Sequence, residues 1–562
     1  MPTTAEITAQ LTGPGGPFEV VTESVGGLQM KVYKDRFRSL RDVAGLATAH
    51  GDQTFIVYGD RRISFSEFSG LAGSVAAALR DRFGVGHGDR VAVLSANNPE
   101  WCMAFWGTVN LGAILVGLNG WWKNDEILYG LTDSGAKILV ADRQRYERIA
   151  AEVDAAPADL GGNPLLHRFD KLTADPAAAP PDNPIDEDDP AVIFYTSGTT
   201  GRPKGAVSTH RNMIANLQNT VFNMVAGSMT TGSGGASLDE TPPKQQAALF
   251  TSPLFHVSGC HSTLVVGYMG GLKLVMPVGR FEPTNALELI AREKVSIWAT
   301  VPTMVWRLCE HPDRHDYDTS SVRSVAFGGS PSADELQRKV RETFPNVRTT
   351  SNAYGLTETS SVATVIGGQD ALDKPTSVGP PMPVVELRIA DPDLRDVGVG
   401  ETGEVLIRGP IVVQGYWGKP EATAAAITED GWLRTGDLGH LDEDGYLFIT
   451  DRAKDMIIRG GENVYCVEIE NRLVEHPAVA DAAVIGVPHP ELGEEVKAVV
   501  QVEPGHTITE AEVKAWVAET LANFKVPAYV DVTDERLPRN ASGKLLKNVL
   551  RGEGEVSFAE TM

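Results

Sequence analysis

Between Arg90 and Asp142 the chain repeats one pattern, a short apolar run followed by a helical stretch. RVAVLSA leads into PEWCMAFWGTVNLG, AILVGLN into a helical stretch that stops before Gly135, and AKILVAD closes the series. Runs this short and this uniformly apolar suit strands buried on both faces, and crossover helices between them make neighbouring strands parallel. The expected fold class is α/β. The pattern also bears on the uncharged stretch from Trp101 to Trp122, which is about long enough to span a bilayer. Asn110, Asn119 and four glycines interrupt it, so it reads as a helix starting near Pro99 followed by a buried strand.

A chain of 562 residues is too long for one core, and roughly one domain per 150 residues gives three or four structural units. Its formal net charge of -24 argues against nucleic acid or an anionic membrane as the main partner, so a polyanionic ligand would need local cations. Cys102, Cys260, Cys309 and Cys466 are far apart and form no CxxC, which suits a reducing compartment and four buried apolar side chains. MPTTAEITAQLTGPGG has neither a basic n-region nor an apolar core, so the expectation is a cytoplasmic protein without a signal peptide.

Residues 154–190, rich in Ala, Pro and Asp, read as an irregular surface connection, and the acidic run Asp186–Asp189 within them as a solvated charge run. Residues 226–246 read as an exposed excursion between the helix RNMIANLQNTVFNM and the strand AALFTSP. AAVIGVP, VKAVVQV, TEAEVKAWVAETL and YVDVTD then make a strand, strand, helix, strand pattern. This predicts a small separate domain with a boundary near Asp451.

YTSGTTGRPKG, Tyr195–Gly205, stands between the apolar strand AVIFY and a helix expected near His210, at the carboxyl end of a strand where α/β sheets bind ligands. Gly198, Gly201 and Gly205 let backbone approach an anion, Thr196, Ser197, Thr199 and Thr200 supply hydroxyls, and Arg202 and Lys204 supply charge. Phosphate binding follows. Neither Lys204 nor Lys544 lies in a GxxxxGK[ST] frame, so the loop is not of the commonest phosphate-binding kind.

This loop resembles the signature of the adenylate-forming enzymes, which include acyl-CoA synthetases, luciferases and the adenylation domains of peptide synthetases. Further motifs follow in that family's order: AFGGSPS at Ala326–Ser332, NAYGLTE at Asn352–Glu358, RTGD ending at Asp437, DRAKDMIIRGGENVYCVEIE at Asp451–Glu470, and PRNASGK ending at Lys544. The resemblance implies a large N-terminal domain of mixed sheets with flanking helices, residues 1–450, and a small mobile α+β domain, residues 451–562. It implies ATP, Mg²⁺ and coenzyme A as ligands and a small-molecule carboxylic acid as substrate, in a monomer or homodimer with no transmembrane segment and peripheral membrane contact at most.

The chemistry explains why such residues are needed. A carboxylate attacking the α-phosphorus of ATP crowds negative charges together, so cations must gather there. The resemblance assigns Lys544 to that charge, Glu358 with Thr196 to Mg²⁺, Asp437 and Arg452 to the ribose, and Lys204 to the departing pyrophosphate. It also brings Gly328, Gly329, Ser330, Asn352, Ala353, Tyr354, Gly355 and Thr357 to the nucleotide, makes Lys454 a hinge, and sets Gly460 and Gly461 against the pantetheine arm of CoA. FTSPLFHVSGC, Phe250–Cys260, resembles the carboxylate end of the acyl pocket, with His256 placing the acid and Trp298–Pro302 lining the same space.

Cys466 and Asn352 depart from the family's usual Pro and Gln, and no tryptophan gate stands near Cys260. Cys309, His311 and His315 have ligand-like identities, but Pro312 breaks the helix that would align the histidines, so no zinc site is expected. The expected activity is a carboxylic acid–CoA ligase acting through an acyl-adenylate. Small residues at the pocket entrance favour a medium- or long-chain fatty acid. An aryl or steroid side-chain acid, or an acyl-AMP ligase delivering to a carrier protein, is the alternative.

Overall fold

The structure, a computed structural model, describes residues 3–154, 165–168, 172, 181–196, 202–230, 245–328, 334–540 and 544–552. The alternation after Arg90 forms as expected: strands Arg90–Ser95, Ile114–Asn119 and Ile138–Ala141 pair in parallel. Helix Pro99–Asn110 starts where the Asn98 side chain accepts the Trp101 N–H, with proline at a position that needs no donor. Gly112, at φ 68°, then turns the chain into the next strand. The uncharged stretch is thus a helix and a strand, with Trp101 and Trp106 wholly buried. Among the described residues no helix is long and apolar enough to cross a membrane.

Two mixed sheets carry the large domain. One has six strands in the order Lys204–Thr209, Pro190–Thr196, Ile114–Asn119, Arg90–Ser95, Ile138–Ala141 and Leu165–Arg168, parallel except for its first pair. The other has eight strands, parallel except at its two edges, and includes Ser324–Gly328, Thr349–Leu356 and Ser361–Gly367. Phe55, Phe65, Phe68, Trp106, Leu115 and Tyr268 join both sheets and their helices in one buried cluster. A four-stranded antiparallel sheet, Glu386–Ala390, Gly403–Arg408, Leu433–Leu441 and Leu447–Arg452, completes this part.

After Arg452 the chain enters the smaller C-terminal domain. Its sheet joins the hairpin Ile457–Arg459 and Glu462–Val464 to Gly493–Val502, Val479–His489 and Tyr529–Thr533. Helix Glu510–Ala518 starts on a capping box, with Thr509 and Glu512 each accepting the other's N–H. It packs Val513 and Val517 into a core of Ile457, Ile469, Val484 and Val500.

Four expectations need correction. The phosphate loop ends sooner than expected: Lys204–Thr209 is a strand paired antiparallel with Pro190–Thr196, and the helix His210–Thr230 starts where expected. Residues 226–230 finish that helix, with Ala226 buried, and residues 231–244 of the expected excursion lie outside the described residues. Within 154–190, Leu165–Arg168 is a sheet strand and Leu172 is buried. The acidic run is an ion-pair node, because Arg36, Arg38 and Arg211 converge on Glu187 at 2.8–2.9 Å and His87 meets Asp189 at 2.7 Å.

All four cysteines are buried and unpaired. Cys309 lies in the core, and His311 bonds the Thr284 hydroxyl and accepts the Asp313 N–H.

Candidate active site

Thr196 and Lys204 face each other across the hairpin that carries the glycine-rich loop. Ser197, Gly198, Thr199, Thr200 and Gly201 of that loop, and Gly329 and Ser330 of the second glycine turn, lie outside the described residues. The hairpin is tied down from below, since the Tyr195 hydroxyl donates to Asp133 at 3.1 Å and Lys419 pairs with the same carboxylate at 2.6 Å.

Strand Thr349–Leu356 sets Asn352 beside Phe327 and Ala353 beside Gly328, then turns through Thr357–Thr359. Ser360 and Ser361 follow at φ 50° and 116°, a conformation that costs L side chains energy and needs outside support. The support is local. His261 Nδ1 donates to Ser360 O at 3.0 Å, and the Ser208 and Ser262 hydroxyls bond those of Ser360 and Ser361. A Cβ at Gly355 would stand 1.6 Å from Ser361 O, so this position requires glycine. The turn presents Glu358, whose Oε1 accepts the Tyr416 hydroxyl at 2.8 Å and whose carbonyl accepts the Val413 N–H at 2.9 Å.

Asp437 and Arg452 are partners across neighbouring strands of the antiparallel sheet, and Arg452 Nε lies 3.1 Å from Asp437 Oδ1. The other carboxylate oxygen accepts the Tyr354 hydroxyl at 2.7 Å, which leaves Asp437 4% exposed. Lys454 stands in the exposed turn just beyond, where the chain leaves the large domain.

Lys544 comes from the far end of the chain. Its loop is closed by reciprocal bonds with Asn540, each 2.9 Å. Burial pulls its pKa down to about 8; the charges of Arg452 and Lys454 push the same way, and Asp437 and Glu358 oppose them. Burial likewise pulls His256 down to about 3, helped by the charge of Lys544 and by His261. A neutral His256 whose Nδ1 accepts the Ser258 N–H at 3.3 Å carries its proton on Nε2. The site therefore gathers cations in a protein of net charge -24, as a polyphosphate ligand requires.

The structure brings together Glu358, Asp437, Arg452, Lys454, Lys544 and His256. Gly460 and Gly461 form an exposed turn of the small domain's hairpin at φ 59° and 90°, with the Gly460 N–H on Leu492 O. Trp298 belongs to the core, and its indole N–H reaches Thr251 Oγ1 at 3.1 Å. Tyr416, His261, Asp133 and Lys419 escape sequence reading because each acts through a contact distant in sequence.

A family model described as AMP-binding enzyme matches residues 44–417, and one for the AMP-binding enzyme C-terminal domain matches residues 468–544. A feruloyl-CoA synthase of Amycolatopsis sp is 36% identical over 499 residues, covering 89% of this chain and 95% of the relative. The long-chain-fatty-acid–CoA ligase FadD13 of Mycobacterium tuberculosis is 34% identical over 501 residues, covering 88% of this chain and 93% of the relative. The o-succinylbenzoate coenzyme A synthetase MenE of Bacillus subtilis, solved with ATP and a magnesium ion, superposes with a TM-score of 0.75 at 31% identity, over 92% of this chain and 99% of that one. The chain belongs to the AMP-binding enzyme family, in its acyl-CoA synthetase branch, and is an AMP-forming acid–thiol ligase.

Proposed function

We propose that the chain joins a medium- or long-chain fatty acid to coenzyme A in two steps. In the first, a carboxylate oxygen attacks the α-phosphorus of ATP, the bond to the β-phosphate breaks, and pyrophosphate leaves with that bond's electrons. Lys544 offsets the charge that builds on the phosphate oxygens, and Lys204 holds the departing pyrophosphate. Asp437 and Arg452 take the ribose hydroxyls, Tyr354 and Asn352 pack at the base, and His256 donates from Nε2 to the acid. Thr357 lies beside Glu358 on the turn that faces the phosphates.

Glu358 fits Mg²⁺: it offers a hard oxygen, and its other oxygen is already fixed by Tyr416. Among the described residues no group of three or more His, Cys, Asp or Glu is placed to enclose a metal ion. The remaining ligands would then be phosphate oxygens, water and Thr196. When bound, the ion neutralises phosphate charge.

In the second step the CoA sulfur attacks the acyl carbon and gives up the thiol proton to solvent, the bond to the phosphate oxygen breaks, and AMP leaves with that bond's electrons. Lys544 then has to withdraw and Gly460–Gly461 to come in, with residues 451–562 turning about Lys454. Reaction in the cytoplasm suits four unpaired cysteines.

What carries the proposal is a lysine of the small domain lying amid Glu358, Asp437, Arg452 and His256. A fatty chain suits the small residues Ser258, Gly259 and Cys260 and the fatty-acid ligase relative. The feruloyl-CoA synthase relative favours an aryl acid as the second reading. The test is pyrophosphate release and thioester formation across aliphatic, aryl and polycyclic acids, with and without CoA. Turnover rising with chain length supports the fatty-acid reading, and faster turnover of cinnamate-type acids replaces it with the aryl one. Pyrophosphate without thioester from every acid would refute the ligase.

A further inference from the structure

Tyr416 belongs to none of the sequence motifs, yet it touches both sides of the phosphate site. Its hydroxyl donates to Glu358 Oε1 at 2.8 Å, and its ring centroid lies 5.2 Å from Lys204 Nζ. The backbone around it makes the same two connections. Val413 N–H donates to Glu358 O at 2.9 Å; Trp417 N–H donates to Gly205 O at 2.8 Å, and Gln414 N–H to Val207 O at 3.0 Å. Residues 413–417 are therefore strapped at once to the turn bearing Glu358 and to the strand that begins at Lys204.

Little freedom remains at this position. Tyr416 N–H donates to Thr423 Oγ1 at 2.9 Å. Gly415 precedes it at φ 134°, where a Cβ would stand 2.5 Å from Thr423 Cγ2. The Tyr416 hydroxyl meets a carboxylate oxygen, which can only accept, so the hydroxyl is the donor. A carboxylate with one oxygen held has one oxygen to offer, in a set direction. An ammonium over a ring face is held without being neutralised.

We propose that Tyr416 is a positioning residue that fixes Glu358 and Lys204 as one unit, aiming the free Glu358 oxygen at the divalent cation and Lys204 at the terminal phosphates of ATP. The inference rests on the ATP reading above and deepens it. It separates two nucleotides, because AMP lacks the phosphates and the cation that this unit serves.

The test is calorimetric binding of ATP to the full chain at graded Mg²⁺, with AMP as the control. Tyr416→Phe differs by one oxygen, and it should raise the Mg²⁺ concentration needed for half-maximal ATP affinity about tenfold. AMP affinity should stay within about twofold of the wild type, since no contact proposed for AMP is removed. Tyr416→Leu also loses the ring, and at saturating Mg²⁺ it should weaken ATP roughly two- to fivefold further. A wild-type Mg²⁺ requirement in Tyr416→Phe, or equal losses for ATP and AMP, overturns the proposal. Wild-type protein that binds neither nucleotide overturns the functional reading instead.

Discussion

Raising the pH should switch off the first half-reaction through one residue, Lys544. Burial and the nearby Arg452 draw its pKa from 10.5 to about 8, which corresponds to about 3 kcal/mol against the ammonium form. Only the ammonium can offset charge at the α-phosphate, so the protonated enzyme is the active one. In adenylation kcat/KM for ATP reports ionisations of the free enzyme, and it should fall about tenfold per pH unit above about pH 8. Bound phosphates favour the ammonium, so kcat at saturating ATP should hold to higher pH. The assay is the initial rate of pyrophosphate release from about pH 6.5 to about pH 10, with Lys544→Arg as the comparison because its charge does not titrate there. A flat wild-type kcat/KM across that range, or the same descending limb in Lys544→Arg, would refute the reasoning.

Tyr354→Phe removes the hydroxyl donated to Asp437 at 2.7 Å; a bond to a charged group is worth about 1.5–3 kcal/mol. ATP and AMP share the ribose, so both affinities should fall about tenfold in calorimetry, and a loss confined to ATP would contradict this. Asp451 is raised from 3.8 to about 6 by burial, so the folded chain keeps a proton there that the unfolded chain has already lost. That contribution to stability is complete below about pH 4 and disappears as pH rises through about 6, a span of about 3 kcal/mol. Asp451→Asn does not titrate, so its urea midpoint relative to wild type should improve from about pH 4.5 to about pH 7.5; a constant difference would remove the assignment. Gly355→Ala sets a methyl 1.6 Å from Ser361 O, and it should lower the melting temperature with a cost of roughly 1–3 kcal/mol; an unchanged melting curve would contradict that geometry.

The parallel strands were legible because residues 90–142 carry continuous apolar runs and glycine stops, such as Gly112 and Gly135, where the chain must turn at positive φ. The antiparallel sheet from Glu386 to Arg452 was not: strands such as ELRIA and GEVLIR are only partly buried and mix charge with apolar residues. The strand Lys204–Thr209 escapes sequence reading because KGAVST begins with the loop's own lysine and holds too few apolar residues to announce a strand. At the site, Glu358, Asp437 and Lys544 were visible as motifs. The supports were not, because Tyr416 and His261 act across separations of 58 and 99 residues, and Tyr354, though part of a motif, gave no sign of its bond to Asp437 83 residues away. Left-handed Ser360 and Ser361 were equally hidden, since serine gives no local sign of positive φ.

Lys544 is buried and feels the charges of Arg452, Asp437 and Glu358, so its removal should injure one half-reaction and spare the other. The measurement is Lys544→Ala assayed separately for pyrophosphate release from acid and ATP, and for thioester formation from a supplied acyl-adenylate and CoA. The account predicts a loss of about 100-fold or more in the first and a change within about threefold in the second. Equal losses in both half-reactions would contradict it.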